Sequence, residues 1–305
     1  MKTRSNLERV LEEGHFAVTA ELGPPTDADA EKIKRKAKIL KGYVDAFNVT
    51  DGQTAVVRMA SWAACVIGKE EGLDPIVQMT CRDRNRIALQ MDVLGVYALG
   101  IHNILCLTGD HVIFGNHPGA KGVYDLDSIQ FIQIVKTMRD EKKFQSGDEM
   151  EVEPCLFIGA AANPFADPFE YRVERLKKKV EAGADFIQTQ CVFNVKKFEE
   201  WMKRVRDEGL HERVKILAGI TPIKSLGAAK YMKNKVPGMD IPDEIIERLK
   251  GVPKKEVPKE GIKIAVETIQ RMKEMEGVAG VHIMAIEWEE VVPEIVEMAG
   301  LHPRP

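Results

Sequence analysis

Eight short apolar runs rich in β-branched residues punctuate this chain: His15–Leu22, Ala46–Thr50, Ile76–Thr80, Asn103–Leu107, Cys155–Ala161, Phe186–Gln190, Lys215–Ile220 and Val281–Ile286. Amphipathic connections separate them. Apolar runs without strict alternation suit strands buried on both faces, and strand–helix alternation repeated eight times suits a closed parallel (β/α)8 barrel. Reactive groups in such barrels project from the C-terminal ends of the strands. Those ends supply Glu21, Thr50 with Asp51, Gln78 with Thr80, Thr108-Gly109-Asp110, Asn163, Gln190, Thr221 and Glu287.

At 305 residues the chain exceeds the roughly 250 of a bare barrel but falls short of two full-sized domains, so one barrel domain over residues 1–305 is expected. A formal net charge of -3 gives no general electrostatic reason to bind nucleic acid or an anionic membrane. No apolar run approaches the roughly 20 residues that span a bilayer, and the N-terminus is a charged helical pattern rather than a secretory signal. A cytoplasmic protein with a small-molecule substrate is therefore expected. The five cysteines are scattered without a C-x-x-C pair and read as reduced structural thiols.

Residues Thr3 to Glu13 read as a short helix, with Leu7, Val10 and Leu11 on one face, closing the barrel bottom. Pro24 and Pro25 end the first strand in a stiff loop. Helices are predicted from about Ala55 to Lys69, Arg84 to Leu99 and Pro168 to Ala182, the last closed by Gly183. The glycine-rich stretch from Gly109 to Leu126 reads as an active-site loop or lid. Residues Pro237 to Gly261 read as an insertion before the last long helix.

Several constellations could carry chemistry. Glu21, fixed before the Gly23-Pro24-Pro25 turn, is placed to donate a proton if burial raises its pKa; otherwise it bonds loop amides. Gly109 permits close approach of a flat ligand or its phosphates, beside Asp110. Alternation sends Gln188 and Gln190 to one face, where they meet either a heteroaromatic ligand or a polar layer plugging the barrel. The basic run Arg172, Arg175, Lys177, Lys178 and Lys179 offers its last two lysines to phosphates, or is solvated surface charge. The histidines show no metal-ligand spacing, so no metal site is expected, and no G-x-G-x-x-G, Walker or G-x-S-x-G motif is present.

Taken together, the strand-one glutamate with its prolines, Asn48-Val49-Thr50-Asp51, Met79-Thr80-Cys81, Leu107-Thr108-Gly109-Asp110, Tyr124 before Asp125, Lys177 to Ala184, Thr189-Gln190 and Ala218-Gly219-Ile220-Thr221-Pro222 resemble methylenetetrahydrofolate reductase, in that family's order and over almost the whole chain. The resemblance implies a flavin-dependent barrel that reduces 5,10-methylenetetrahydrofolate to 5-methyltetrahydrofolate. It implies that Glu21 is the general acid that assists opening of the imidazolidine ring, that Asp110 is catalytic, near the flavin pyrimidine edge where its negative charge tunes the flavin and stabilises cationic folate, and that Gln190 bonds the pterin. Thr50, Gly109, Tyr124, Asp125, Lys178 and Lys179 fall where the family contacts flavin. We assign Asp51, Gln78, Thr108 and Asn163 to the same cofactor-facing mouth, and Gln188 and Thr221 to the substrate side with Gln190.

The chain departs from the familiar bacterial pattern. Thr108 stands where that pattern has Arg, Gln78 where it has His, Leu226 where it has Phe, and Trp288 near where it has an arginine. FAD is expected, with FMN the alternative. Electrons are expected from NAD(P)H or, as in anaerobic forms that resemble this chain, from a partner subunit bearing iron–sulfur or zinc, in an oligomer or hetero-complex. Two other readings remain at this level: a pterin-binding methyltransferase barrel without flavin, and a non-catalytic scaffold.

Overall fold

The computed structural model describes residues 1–236 and 238–305. Eight strands alternate with helices: α1 (Asn6–Glu12), β1 (Ala17–Leu22), α2 (Ala30–Leu40), β2 (Ala46–Val49), α3 (Ser61–Glu70), β3 (Pro75–Thr80), α4 (Arg86–Ala98), β4 (Asn103–Leu107), α5 (Ser128–Glu141), β5 (Phe157–Ala162), α6 (Tyr171–Ala182), β6 (Phe186–Cys191), α7 (Val195–Asp207), β7 (Lys215–Ile220), α8 (Leu226–Lys235), α9 (Asp243–Lys250), α10 (Val257–Lys273), β8 (Val278–Ile283) and α11 (Val292–Met298). The strands pair in sequence order, all parallel, and β1 closes on β8 to complete a (β/α)8 barrel. Parallel neighbours demand a crossover between consecutive strands, and the amphipathic helices supply it while covering the outer sheet face.

Alternation along each strand sorts the barrel interior into layers. At the bottom, Ala17, Ala46, Ile76, Leu105, Phe157, Phe186 and Leu217 pack against Leu7, Val10 and Leu11 of α1, the face expected to plug that end. Two residues further along their strands lie Thr19, Asn48, Gln188 and His282, all buried and joined by hydrogen bonds. A further step of two reaches Glu21 and Gln190. The outward positions, among them Val18, Ala20, Phe47, Val77 and Ile104, join the large shell packed under the helices.

Element boundaries differ from expectation where local backbone overrides the apolar pattern. Helix α3 starts at Ser61 rather than Ala55, because Thr54 and Ala55 both adopt φ 56°, a left-handed conformation that no α-helix continues. Strand β8 begins three residues early: Val278 pairs with Ile216 and Gly280 with Ala17, so Glu287 falls in an exposed loop instead of at a strand end. The expected insertion is largely helical. Pro237 lies outside the described residues, α9 follows, and α10 takes in Val257 through Gly261 with a proline in its first turn, where a missing N–H costs nothing.

Candidate active site

Glu21 is the penultimate residue of β1, 8% exposed, with its side chain turned into the barrel mouth. Burial, and then the neighbouring charge of Glu289, raise its pKa to about 7, while Gln78, Arg58 and Gln53 pull it the other way. Burial thus brings this carboxyl into the range near neutrality that a general acid requires.

The mouth above the polar layer is a cavity of about 330 Å³. Glu21, Gln78, Asn163, Gln190 and Lys179 face it across apolar walls of Leu105, Leu107, Leu176 and Met284. Lys179 is buried; its ammonium donates to the Ala161 carbonyl, and desolvation, helped by the nearby Arg175 guanidinium, lowers its pKa to about 8. An anion entering the cavity would meet both cations. Gln190 accepts from the Cys191 backbone N–H at 3.1 Å, which turns its amide across the mouth.

Other residues singled out from the sequence lie elsewhere or are already engaged. Gln188 exchanges hydrogen bonds with Asn48 at 2.6 and 2.9 Å and donates to Thr19, so its amide belongs to the polar layer that floors the cavity. Asp51 accepts from the backbone and hydroxyl of Thr80 and pairs with Arg84 at 2.7 Å, fastening the end of β3. The Thr108 hydroxyl accepts from Ser128 N–H at the start of α5, and Thr221 sits 2.8 Å from the Cys191 thiol. Asp110 is exposed, with its carboxylate accepting from Thr54 N–H at 3.0 Å, and does not share the cavity with Glu21. The Tyr124 hydroxyl donates to the Asp110 carbonyl. Asp125 is drawn down to about 2 by hydrogen bonds from Arg86, away from the mouth. Lys178 points outward over the Tyr171 ring.

Arg58 and Glu289 were not anticipated, and Arg175 was named only as part of the basic run of α6. For Arg175 a signal existed: residues 172, 175, 176 and 179 share one face at helical spacing, whereas 178 does not. Arg58 and Glu289 come from loops whose course no local pattern reveals.

A flavin fits these residues. The Thr50 hydroxyl is buried without a hydrogen-bond partner, and the backbone at Gly109, with φ 92°, passes so near Arg82 and Thr80 that an added Cβ would crowd both side chains. Gln78, Asn163 and Gln190, which line the cavity, could satisfy a heteroaromatic ring, and Lys179 and Arg175 a phosphate. Among the described residues no cluster of His, Cys, Asp and Glu could hold a metal ion.

The sequence matches the family model described as methylenetetrahydrofolate reductase over residues 6–300. Methylenetetrahydrofolate reductase 1 of Schizosaccharomyces pombe is 26% identical over 244 residues, covering 77% of this chain and 37% of that protein. The 5,10-methylenetetrahydrofolate reductase of Buchnera aphidicola subsp. Schizaphis graminum is 26% identical over 294 residues, covering 92% and 91%. The chain thus spans less than half the length of the eukaryotic relatives it matches, but nearly all of the bacterial one. Among solved structures, an uncharacterized Clostridium thermocellum protein that binds two copies of 5-methyl-5,6,7,8-tetrahydrofolic acid superposes with a TM-score of 0.63 at 14% identity, covering 97% of this chain and 98% of its own. The same closed eight-stranded barrel thus underlies both. On the family match from residue 6 to residue 300, the chain belongs to the methylenetetrahydrofolate reductase family.

Proposed function

We propose that this protein reduces 5,10-methylenetetrahydrofolate to 5-methyltetrahydrofolate at the mouth of its barrel. The observation that carries the reading is Glu21: a buried carboxyl with a pKa near 7, opening onto a cavity walled by apolar side chains and neutral amides. Opening the imidazolidine ring leaves a nitrogen that needs a proton, and Glu21, its pKa raised toward neutrality by burial, can supply one. Gln190 presents a neutral amide that can donate and accept, which suits the edge of a pterin. Lys179 and Arg175 would hold the anionic end of the cofactor, and Gln78 and Asn163 its polar edge. A flavin bound there would supply the hydride. The polar layer of Thr19, Asn48, Gln188 and His282 below the site has its hydrogen bonds made internally and sets the floor on which ligands rest. Membership of a reductase family and the folate bound by the fold's Clostridium thermocellum neighbour support the same substrate class.

FAD is the flavin we carry forward, and extraction followed by chromatography separates it from FMN. The absorption spectrum of the purified protein and its oxidation of 5-methyltetrahydrofolate with an artificial acceptor test the reading together. A yellow protein that oxidises the folate supports it. A colourless protein that transfers the methyl group to a corrinoid overturns it in favour of a methyltransferase barrel. Titration with NADH then asks whether the chain is reduced directly or through a partner.

A further inference from the structure

A second cavity, of about 590 Å³, opens off the same carboxyl between the loop after β1, helix α2 and the loop after β8. Among the described residues Glu21 alone lines both spaces, so its carboxyl forms the wall between them. On the far side stands Glu289, 3% exposed, at the start of the short 3-10 turn Glu289–Val291. Lys36 of α2 grips it, Nζ to Oε1 at 2.6 Å, and also donates to the carbonyl of Gly23, two residues past Glu21. A buried carboxylate fixed by a lysine is costly to build and is held in one place. Nothing in the ring-opening chemistry uses it directly.

We propose that Glu289 is a positioning residue for the acid: its charge, clamped by Lys36 across the side cavity, keeps the proton on Glu21 until substrate takes it. The inference rests on the reading of Glu21 as proton donor. Two carboxyls facing one low-dielectric space resist ionising together, so one proton is retained between them. Lys36 fixes the Glu289 carboxylate in the wall of that cavity at 2.6 Å, and its own cation offsets part of the anion's effect on Glu21. The remaining groups around Glu21 do not duplicate this. Arg58 opposes it and is bonded to the Pro24 carbonyl, Lys32 is engaged by Asp27, and the Cys191 thiol, pushed up to about 12 by burial, carries no charge near neutrality. Arg35, Glu287 and Glu290 stand at the exposed rim, where solvent screens them.

The protonated carboxyl of Glu21 has its own infrared C=O band, identified by its loss in Glu21→Gln. Its titration is followed from about pH 5 to about pH 9 in the wild type, Glu289→Gln and Lys36→Gln, alongside folate turnover. We expect Glu289→Gln to lower the midpoint by about one pH unit, since a neutral amide replaces the anion and leaves Lys36 unopposed. Lys36→Gln, which removes the cation, raises it. A midpoint unmoved in Glu289→Gln, or moved the same way in both variants, overturns the proposal, and if one variant fails to fold the sign in the other decides. Failure of the underlying function looks different: the band shifts as stated, but neither wild type nor variants turn over folate.

Discussion

A carboxyl that folding drives from 4.5 to about 7 makes stability depend on pH in a definite sense. Between those values the native state holds a proton that the unfolded chain has released, so stability is full below about pH 4.5 and falls as pH rises toward 7. The cost, on the order of 3 kcal/mol, vanishes if the group cannot ionise. Glu21→Gln is therefore expected to raise the melting temperature at about pH 8 and to change it little at about pH 5, as calorimetry would read. A uniform loss at both would mean that the amide disrupts the mouth. Lys179 invites a similar contrast with its neighbour. Lys179→Met should weaken flavin binding by about tenfold or more in equilibrium dialysis, from loss of one charge-assisted contact, while the outward Lys178→Met leaves it unchanged. Equal effects would contradict the division between the two lysines. That division was legible in the helical period of α6, but the run of three consecutive lysines concealed it.

The elements that aim these residues depend on close approaches as much as on strands. Gly261 lies where α10 crosses the backbone of Ile223, just after β7, and a Cβ there would collide with that carbonyl. Gly261→Ala should cost about 1–3 kcal/mol in urea unfolding by forcing helix and loop apart. An unchanged midpoint would show the contact to be slack. At the other end, Arg304 binds the buried Asp45 at 2.6 Å and Arg139 binds Asp185 at the same distance, tying the C-terminus and α5 to strand starts. Seven of the eight strands lie within two residues of where apolar runs placed them, because burial on both faces writes a strand as a block of β-branched residues. Strand β8 was misplaced because Val278-Ala279-Gly280 is small and weakly apolar, yet pairs on both sides.

Across the whole molecule, the barrel gathers side chains from strands far apart in sequence, and there local reading runs out. Glu21, Gln78, Asn163 and Gln190 could be recognised singly as polar groups at strand ends, and they do meet around one cavity. Asp110 could be recognised the same way, yet its carboxylate turns outward to the Thr54 amide, since the backbone course after β2 decides where that loop can bond. Glu289 and Arg58 enter from loops after β8 and before α3, and only the closed sheet brings them beside β1. The central claim is that Glu21 donates the proton for folate reduction. Its most direct test is stopped-flow reoxidation of the prereduced flavoprotein by 5,10-methylenetetrahydrofolate in the wild type and in Glu21→Gln. The variant should keep its flavin and slow by about 100-fold or more. Reoxidation at the wild-type rate would contradict the claim.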